Sequence, residues 1–170
     1  MPRSITVGIN GLAQVQMRNA LGELQKGVTD CLFNTAGLAI GSSSKKAVKV
    51  VNTVYALING AVVKKTTAEK ALAGTITNAK FNVYVLSLSA DGTLNIAMGT
   101  EGATLGAVVL PAILASDVML GMVIVNPTGT GNFVGGTTDL DDATVVPNAV
   151  YINSPFGGIN INAMNIGEIE

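Results

Sequence analysis

The chain reads as a mainly β protein with a helical arm at its N-terminus and an extended tail at its C-terminus, and three observations carry that reading. Two pairs of apolar, β-branched runs are each joined by a tight-turn dipeptide, Asn59-Gly60 and Asp91-Gly92. A further run, Val118 to Val125, is apolar almost throughout, as a strand buried on both faces would be. Hydrophobic residues make up 48% of the 170 positions but aromatics only 4%, so a core must be assembled from Ala, Val, Leu and Ile.

The N-terminal stretch differs from the rest. Leu12, Val15, Leu21, Leu24, Val28 and Leu32 recur at intervals of three, four and six, close to helical periodicity. Asn10 suits an N-cap, while Gly11, Gly22 and Gly27 each weaken a helix by about 1 kcal/mol relative to Ala. Such a helix has no core of its own and must dock, either on the following domain or on a neighbour. Residues 1–44 are therefore read as a helical arm and linker, the run Gly37 to Ser44 being the linker.

The expected β domain spans 45–153. Val54 to Ile58 and Ala61 to Lys64 flank Asn59-Gly60, whose residues tolerate the positive φ of a type I′ hairpin turn. Thr66 to Leu72 is predicted to form one or two helical turns, ended by Gly74. Phe81 to Leu88 partly alternates with period two, as a strand with one buried face would, and Leu94 to Met98 returns with the same alternation after Asp91-Gly92, forming a second hairpin. Val108 to Leu114 and Val118 to Val125 supply further strand, and Asn126-Pro127 stops the latter. Thr128 to Gly136 reads as an exposed loop, and Val150 to Ile152 as a final strand. In the tail, 154–170, Ile159, Ile161 and Ile166 alternate with Asn, a pattern suited to an edge strand that pairs with another chain. No fixed-period repeat is present.

Composition limits the chemistry. There is no His, no Trp and a single Cys, so the common hydrolytic triads, zinc sites and intrachain disulfides are excluded. Gly129 to Gly135 has its third glycine one place late for a dinucleotide loop, and no helix pattern follows. Asp139, Asp141 and Asp142 lack the EF-hand spacing and read as a solvated turn. The apolar stretch Leu105 to Val125 is broken by Pro111 and by Ser116-Asp117, which argues for two strands rather than a membrane span. MPRSITVGIN shows no apolar signal region. Charged residues are 12%, against roughly a quarter in typical globular proteins, and the net charge is −1. A surface so poor in charge is weakly protected against association, and nothing draws it to nucleic acid. A protein that assembles is therefore expected, with no catalytic residues, cofactor, metal, nucleic acid or membrane partner. The expected contact residues are Leu12, Val15, Leu21, Leu24 and Val28 in the arm and Ile159, Ile161 and Ile166 in the tail.

The order Tyr55-Ala56-Leu57-Ile58-Asn59-Gly60, Thr66 to Leu72, Phe81 to Val85 and Ala90-Asp91-Gly92-Thr93, followed by Leu120 to Val125, resembles small virion proteins of tailed phages. The likeness covers about residues 45 to 153. It is closest in texture to capsid decoration (cement) proteins and head fibres. It implies a β-sandwich or jelly-roll-like domain on the capsid surface, forming homo-oligomers and contacting the major capsid protein. It implies no catalytic residues. A tail, collar or tube component is the alternative location, and a carbohydrate-binding module using Asn132 and Phe133 is the alternative class.

Overall fold

Val118 to Val125 becomes the central strand of the largest sheet, buried at all eight positions, in a computed structural model that describes residues 30–114, 116–147 and 149–155. Among these residues twelve strands form: β1 (Cys31–Leu32), β2 (Leu38–Ile40), β3 (Ala47–Val50), β4 (Val54–Ile58), β5 (Ala61–Lys65), β6 (Ala68–Ala71), β7 (Thr75–Ile76), β8 (Asn82–Leu88), β9 (Leu94–Met98), β10 (Val118–Val125), β11 (Phe133–Val134) and β12 (Val150–Asn153). They pair as four sheets of order β12-β10-β8-β9, β1-β4-β5, β2-β3-β6 and β11-β7. Every pairing is antiparallel. The chain is thus mainly β, as its two hairpin signals and apolar β-branched runs predict.

The β8–β10 pair is sandwiched between two apolar clusters. Tyr84, Leu86 and Leu88 of β8, with Val118, Leu120, Val123 and Val125 of β10, face the main core. Val83 and Val85, with Met119, Met122 and Ile124, face a second cluster on the opposite side. Strict alternation would place Leu120 and Met122 on one face, yet they occupy different ones. A register shift between Met119 and Gly121 resolves this: Met119 lies opposite Ser87 and Gly121 opposite Leu86, leaving Leu120 as the extra residue of a bulge. Gly121 has φ +152°, and a Cβ there would stand 2.3 Å from the Ile152 carbonyl oxygen. The bulge changes the phase of β10 so that both of its halves bury apolar side chains.

The first hairpin forms as expected. Ile58 pairs with Ala61, and Asn59 and Gly60 take φ of 51° and 77°. The second closes from Leu88 to Leu94, with Gly92 at φ 80° and its N–H donating to the Ser89 carbonyl.

Four expectations are corrected. Thr66 to Leu72 is not helical: Ala68 to Ala71 form β6, paired residue for residue with Val50 to Ala47 of β3. The Thr67 hydroxyl donates to the Val51 carbonyl, so long-range pairing overrides the local helical pattern. Leu38 to Ile40 of the presumed linker form β2, paired with Val50 to Val48, and Leu38 is buried. The turn that follows is closed by the Glu69 carboxylate, which accepts the N–H groups of Ser42, Ser43 and Ser44. Leu32 belongs to β1 rather than to a helix, opposite Ala56 and fully buried. The folded core therefore takes in residues before 45. Finally, Val108 to Leu114 makes no strand, only an isolated bridge between Thr100 and Val109. The rest of the expected arm, including Leu12, Val15, Leu21, Leu24 and Val28, lies outside the described residues, as do Ile159, Ile161 and Ile166 of the tail.

Candidate association surface

The second apolar cluster is covered by a strap rather than by another sheet. After β9, the Gly99 N–H donates to the Val83 carbonyl, and Phe81 and Gly102 exchange two backbone hydrogen bonds. The chain then passes through a 3-10 turn at Leu105–Ala107. Gly102 is required there, since a Cβ would lie 2.6 Å from the Ala107 carbonyl carbon. Leu105 and Val108 are buried against Val83, Val85 and the methionines of β10, with Leu110 and Ile113 packed beside them. The intervening side chains point away: Val109 is 63% exposed and Leu114 66%. From Gly102 to Ser116 there is no charged residue. The segment is thus half core lid and half exposed hydrocarbon, with no charge.

The strap ends at a buried polar knot. The Asp117 carboxylate accepts from the Ser87 hydroxyl at 2.8 Å and from the Asn95 side-chain amide at 3.1 Å. The same amide donates to the Ser89 hydroxyl at 2.6 Å. Asp117 N–H donates to the Leu114 carbonyl, which fixes the turn presenting Leu114. Both side-chain bonds to Asp117 end on Oδ2 and tie β8, β9 and the start of β10 together, while Asp117 Oδ1 is buried with no hydrogen-bond partner among the described residues.

A second apolar face belongs to the β1–β4–β5 sheet. Val54, Ala56 and Ile58 point into the core while Tyr55 is exposed and Leu57 half-buried, the alternation expected of a strand with one buried face. The register places Cys31, Leu57 and Val62 in one row, and the next row holds Phe33, Tyr55 and Lys64. Phe33 is 45% exposed, Tyr55 42% and Val62 68%. The Lys64 ammonium lies 5.8 Å from the Tyr55 ring centroid. Asn34 stiffens the edge, donating to the Thr53 carbonyl and accepting the Tyr55 N–H, both at 2.8 Å.

Two of the three acidic residues noted in the sequence, Asp141 and Asp142, have side-chain partners. Asp141 pairs with Lys45, which raises the lysine's proton affinity through that hydrogen bond. Asp142 accepts from the Thr144 hydroxyl and N–H, and these donors hold its carboxyl below the usual range. Among the described residues no group of three or more His, Cys, Asp or Glu side chains is arranged to hold a metal ion. A cleft of about 290 Å³ is lined by Ile40, Leu140, Asp141, Pro147, Ala149 and Tyr151. Burial and then the Asp141 charge push the pKa of the Tyr151 hydroxyl up to about 12. No helix of the described residues is long and apolar enough to cross a membrane.

The loop 128–136 does not present its aromatic residue. Phe133 is fully buried, edge-on to Tyr84 with ring centroids 6.3 Å apart. Asn132 accepts the Asn78 N–H at 2.9 Å. Both residues therefore hold the loop to the body of the protein, and the ring has no face free to stack on a sugar.

No protein-family model, curated protein or solved structure matches the chain. All eight contact residues expected from the sequence lie outside the described residues, so the structure adds surfaces that the sequence reading did not single out: Val109 and Leu114 on the strap, and Phe33, Tyr55 and Val62 on the sheet. Of these, only Tyr55 carries its signal in the sequence, lying between the core residues Val54 and Ala56 of an extended segment and so facing outward.

Proposed function

We propose that this protein is a virion structural component that decorates and cements a phage capsid, forming homo-oligomers and bridging neighbouring major capsid subunits at the capsid surface. The observation that supports this reading most strongly is the strap, 15 consecutive uncharged residues from Gly102 to Ser116 that expose Val109 and Leu114. Such a surface suits a protein that works against another protein. The short β1–β4–β5 and β2–β3–β6 sheets share one core with the β8–β10 face, which supports a β-sandwich reading; a jelly-roll-like order remains part of the proposal. In the tail, Ile159, Ile161 and Ile166 are proposed to reach a neighbour by adding a strand.

The energetics fit a protein used in many copies. Completing the burial of Val109 and Leu114 stabilises a contact by roughly 1–2 kcal/mol each, scaled from about 1.5–3 kcal/mol for a fully buried aliphatic side chain. That is weak for one copy. Repeated around a shell, and with oligomers engaging several subunits at once, the same contact resists the opening of joints through effective concentration.

Binding to purified shells of the major capsid protein tests the reading. The wild-type chain should co-sediment with shells, and the double variant Val109→Asp with Leu114→Asp should lose at least about tenfold in affinity, the equivalent of ~1.4 kcal/mol. Its unfolding transition should be unchanged, because both side chains face outward. A wild-type protein that ignores shells overturns the proposal. Binding only to tails or tubes would move the protein to the alternative location.

A further inference from the structure

We propose that Asn59 is a site of covalent self-modification, where the Gly60 nitrogen attacks the Asn59 side-chain amide and the resulting aspartate or isoaspartate loosens the β4–β5 end of its sheet. Both reacting groups sit in one exposed turn. Asn59 and Gly60 face solvent and take φ of 51° and 77°. A Cβ at Gly60 would meet nothing within 4 Å, so no neighbour crowds closure of a succinimide ring over the backbone. The Asn59 backbone N–H donates to Asp30, but among the described residues neither its side-chain amide nor the Gly60 N–H has a hydrogen-bond partner. Electrophile and nucleophile are both free.

The step needs only water and a base from solvent. The Gly60 N–H gives up its proton, a bond forms from that nitrogen to Asn59 Cγ, and the Cγ–Nδ2 bond breaks with ammonia leaving. Water then opens the ring. Attack at Cγ gives aspartate, and attack at the backbone carbonyl carbon gives isoaspartate, with the chain rerouted through Cβ and Cγ. Nothing is oxidised or reduced.

The second hairpin shows the same chemistry shut off. The Asp91 carboxylate accepts the Thr93 N–H at 2.8 Å on one oxygen and the Thr93 hydroxyl at 2.9 Å on the other. The Gly92 N–H donates to the Ser89 carbonyl at 2.9 Å, so its nitrogen is engaged as well. The other asparagines are poorer sites. Asn34, Asn82 and Asn153 each hold backbone groups through their side chains, and Asn126 precedes Pro127, which has no N–H to attack. Asn59 alone among the described asparagines precedes a glycine.

The products act on one sheet. Asp30 Oδ1 accepts the Asn59 N–H at 2.6 Å, one residue before β1 begins. A carboxylate at position 59 sets a like charge beside it. Isoaspartate also lengthens the backbone, so the link between the paired Ile58 and Ala61 loses the two-residue length that a type I′ turn closes. The sheet so loosened carries Phe33, Tyr55 and Val62 on its outer face. This chemistry is independent of any capsid contact.

The full-length protein is held at neutral pH and physiological temperature, folded in buffer and unfolded in urea, and sampled by peptide mapping that separates Asn, Asp and isoaspartate. Asn10-Gly11 repeats the dipeptide outside the described residues, so conversion is scored peptide by peptide. In the folded protein Asn59 should convert within about tenfold of its rate in urea, and at least about tenfold faster than any other described asparagine. Gly60→Ala should slow the conversion at least about tenfold in urea, where strain in the turn plays no part. Both products should appear; aspartate alone would mean direct hydrolysis and overturn the route. In the converted fraction, amide exchange in β1, β4 and β5 should be at least about tenfold faster, with β8 and β10 unchanged. An Asn59 that stays intact when folded but converts in urea overturns the proposal. Conversion that leaves exchange in the sheet unaltered does so too.

Discussion

Replacing Gly121 by Ala should be among the most damaging single-methyl changes in the molecule. The added Cβ would lie 2.3 Å from the Ile152 carbonyl oxygen, 2.7 Å from Leu38 Cδ1 and 3.1 Å from Asn153 Cα. Ordinary contact begins near 3.4 Å, so β12 has to retreat by roughly 1 Å. That retreat stretches the Ser154 N–H bond to the Leu120 carbonyl, now 3.0 Å, and the Leu38 N–H bond to the Asn153 side chain, now 2.7 Å. Overpacking of this kind costs about 1–3 kcal/mol. A backbone at φ +152° adds about 1–3 kcal/mol of strain for a residue with a Cβ. The sum, about 2–5 kcal/mol, is a large part of the 5–15 kcal/mol typical of a domain. Urea unfolding measures it, with the slope expected to stay constant. Gly131→Ala is the control, because Gly131 has φ +94° with nothing within 4 Å of a Cβ and should cost only about 1–2 kcal/mol. If Gly121→Ala unfolds within about 0.5 kcal/mol of the wild type, the bulge does not set the phase of β10 and the two-sided packing argument fails.

Three further outcomes are expected. Phe133→Ala should cost about 3–5 kcal/mol, read by chemical unfolding, because the ring is fully buried against Tyr84; a neutral result would show that β11 is not part of the core. Asp117→Ala should cost about 1–3 kcal/mol, since it strips the acceptor from Ser87 and Asn95, and faster hydrogen exchange at β9 would mark the loosened sheet. The third concerns pH. Glu69, Asp91, Glu101 and Asp142 all lie below their ordinary values: the Ser43, Thr93 and Thr77 N–H groups act chiefly on the first three, and the Thr144 hydroxyl on the last. Their stabilisation is fully present above the unfolded values of 4.5 for Glu and 3.8 for Asp. It is lost as pH falls through the lower folded values, so stability should be flat from neutrality to about pH 5 and decline below it. Glu69→Gln should reduce stability at pH 7 and shrink the difference between pH 7 and pH 3; an undiminished acid decline would contradict the role given to the Ser42–Ser44 turn.

What the sequence showed and hid follows from which forces are local. Asn59-Gly60 dictates its own turn through φ, and the unbroken run Val118 to Val125 has no polar face to leave in water, so both were legible. Thr66 to Leu72 was not, because a helical pattern there competes with four residues of pairing to β3 and with the bond from Thr67 to Val51, and neither is visible locally. The Gly-Ser run read as a linker because its order comes from Glu69, 25 residues beyond Ser44. Phe133 looked exposed in a glycine-rich loop, but its partner, Tyr84, lies far back in the chain. The strap was hidden most completely. An apolar segment such as Val108 to Leu114 signals burial, and only the packing of Leu105 and Val108 on β10 decides that Val109 and Leu114 are left outside.

The central claim, a β-rich protein that cements a capsid, is met most directly by a cryo-microscopy map of the intact particle carrying the chain. Density for residues 30–155 should follow the icosahedral positions of the shell, with Val109 and Leu114 against the major capsid protein and each copy touching more than one subunit. Density confined to the tail, or a shell with no copies of this chain, would contradict it.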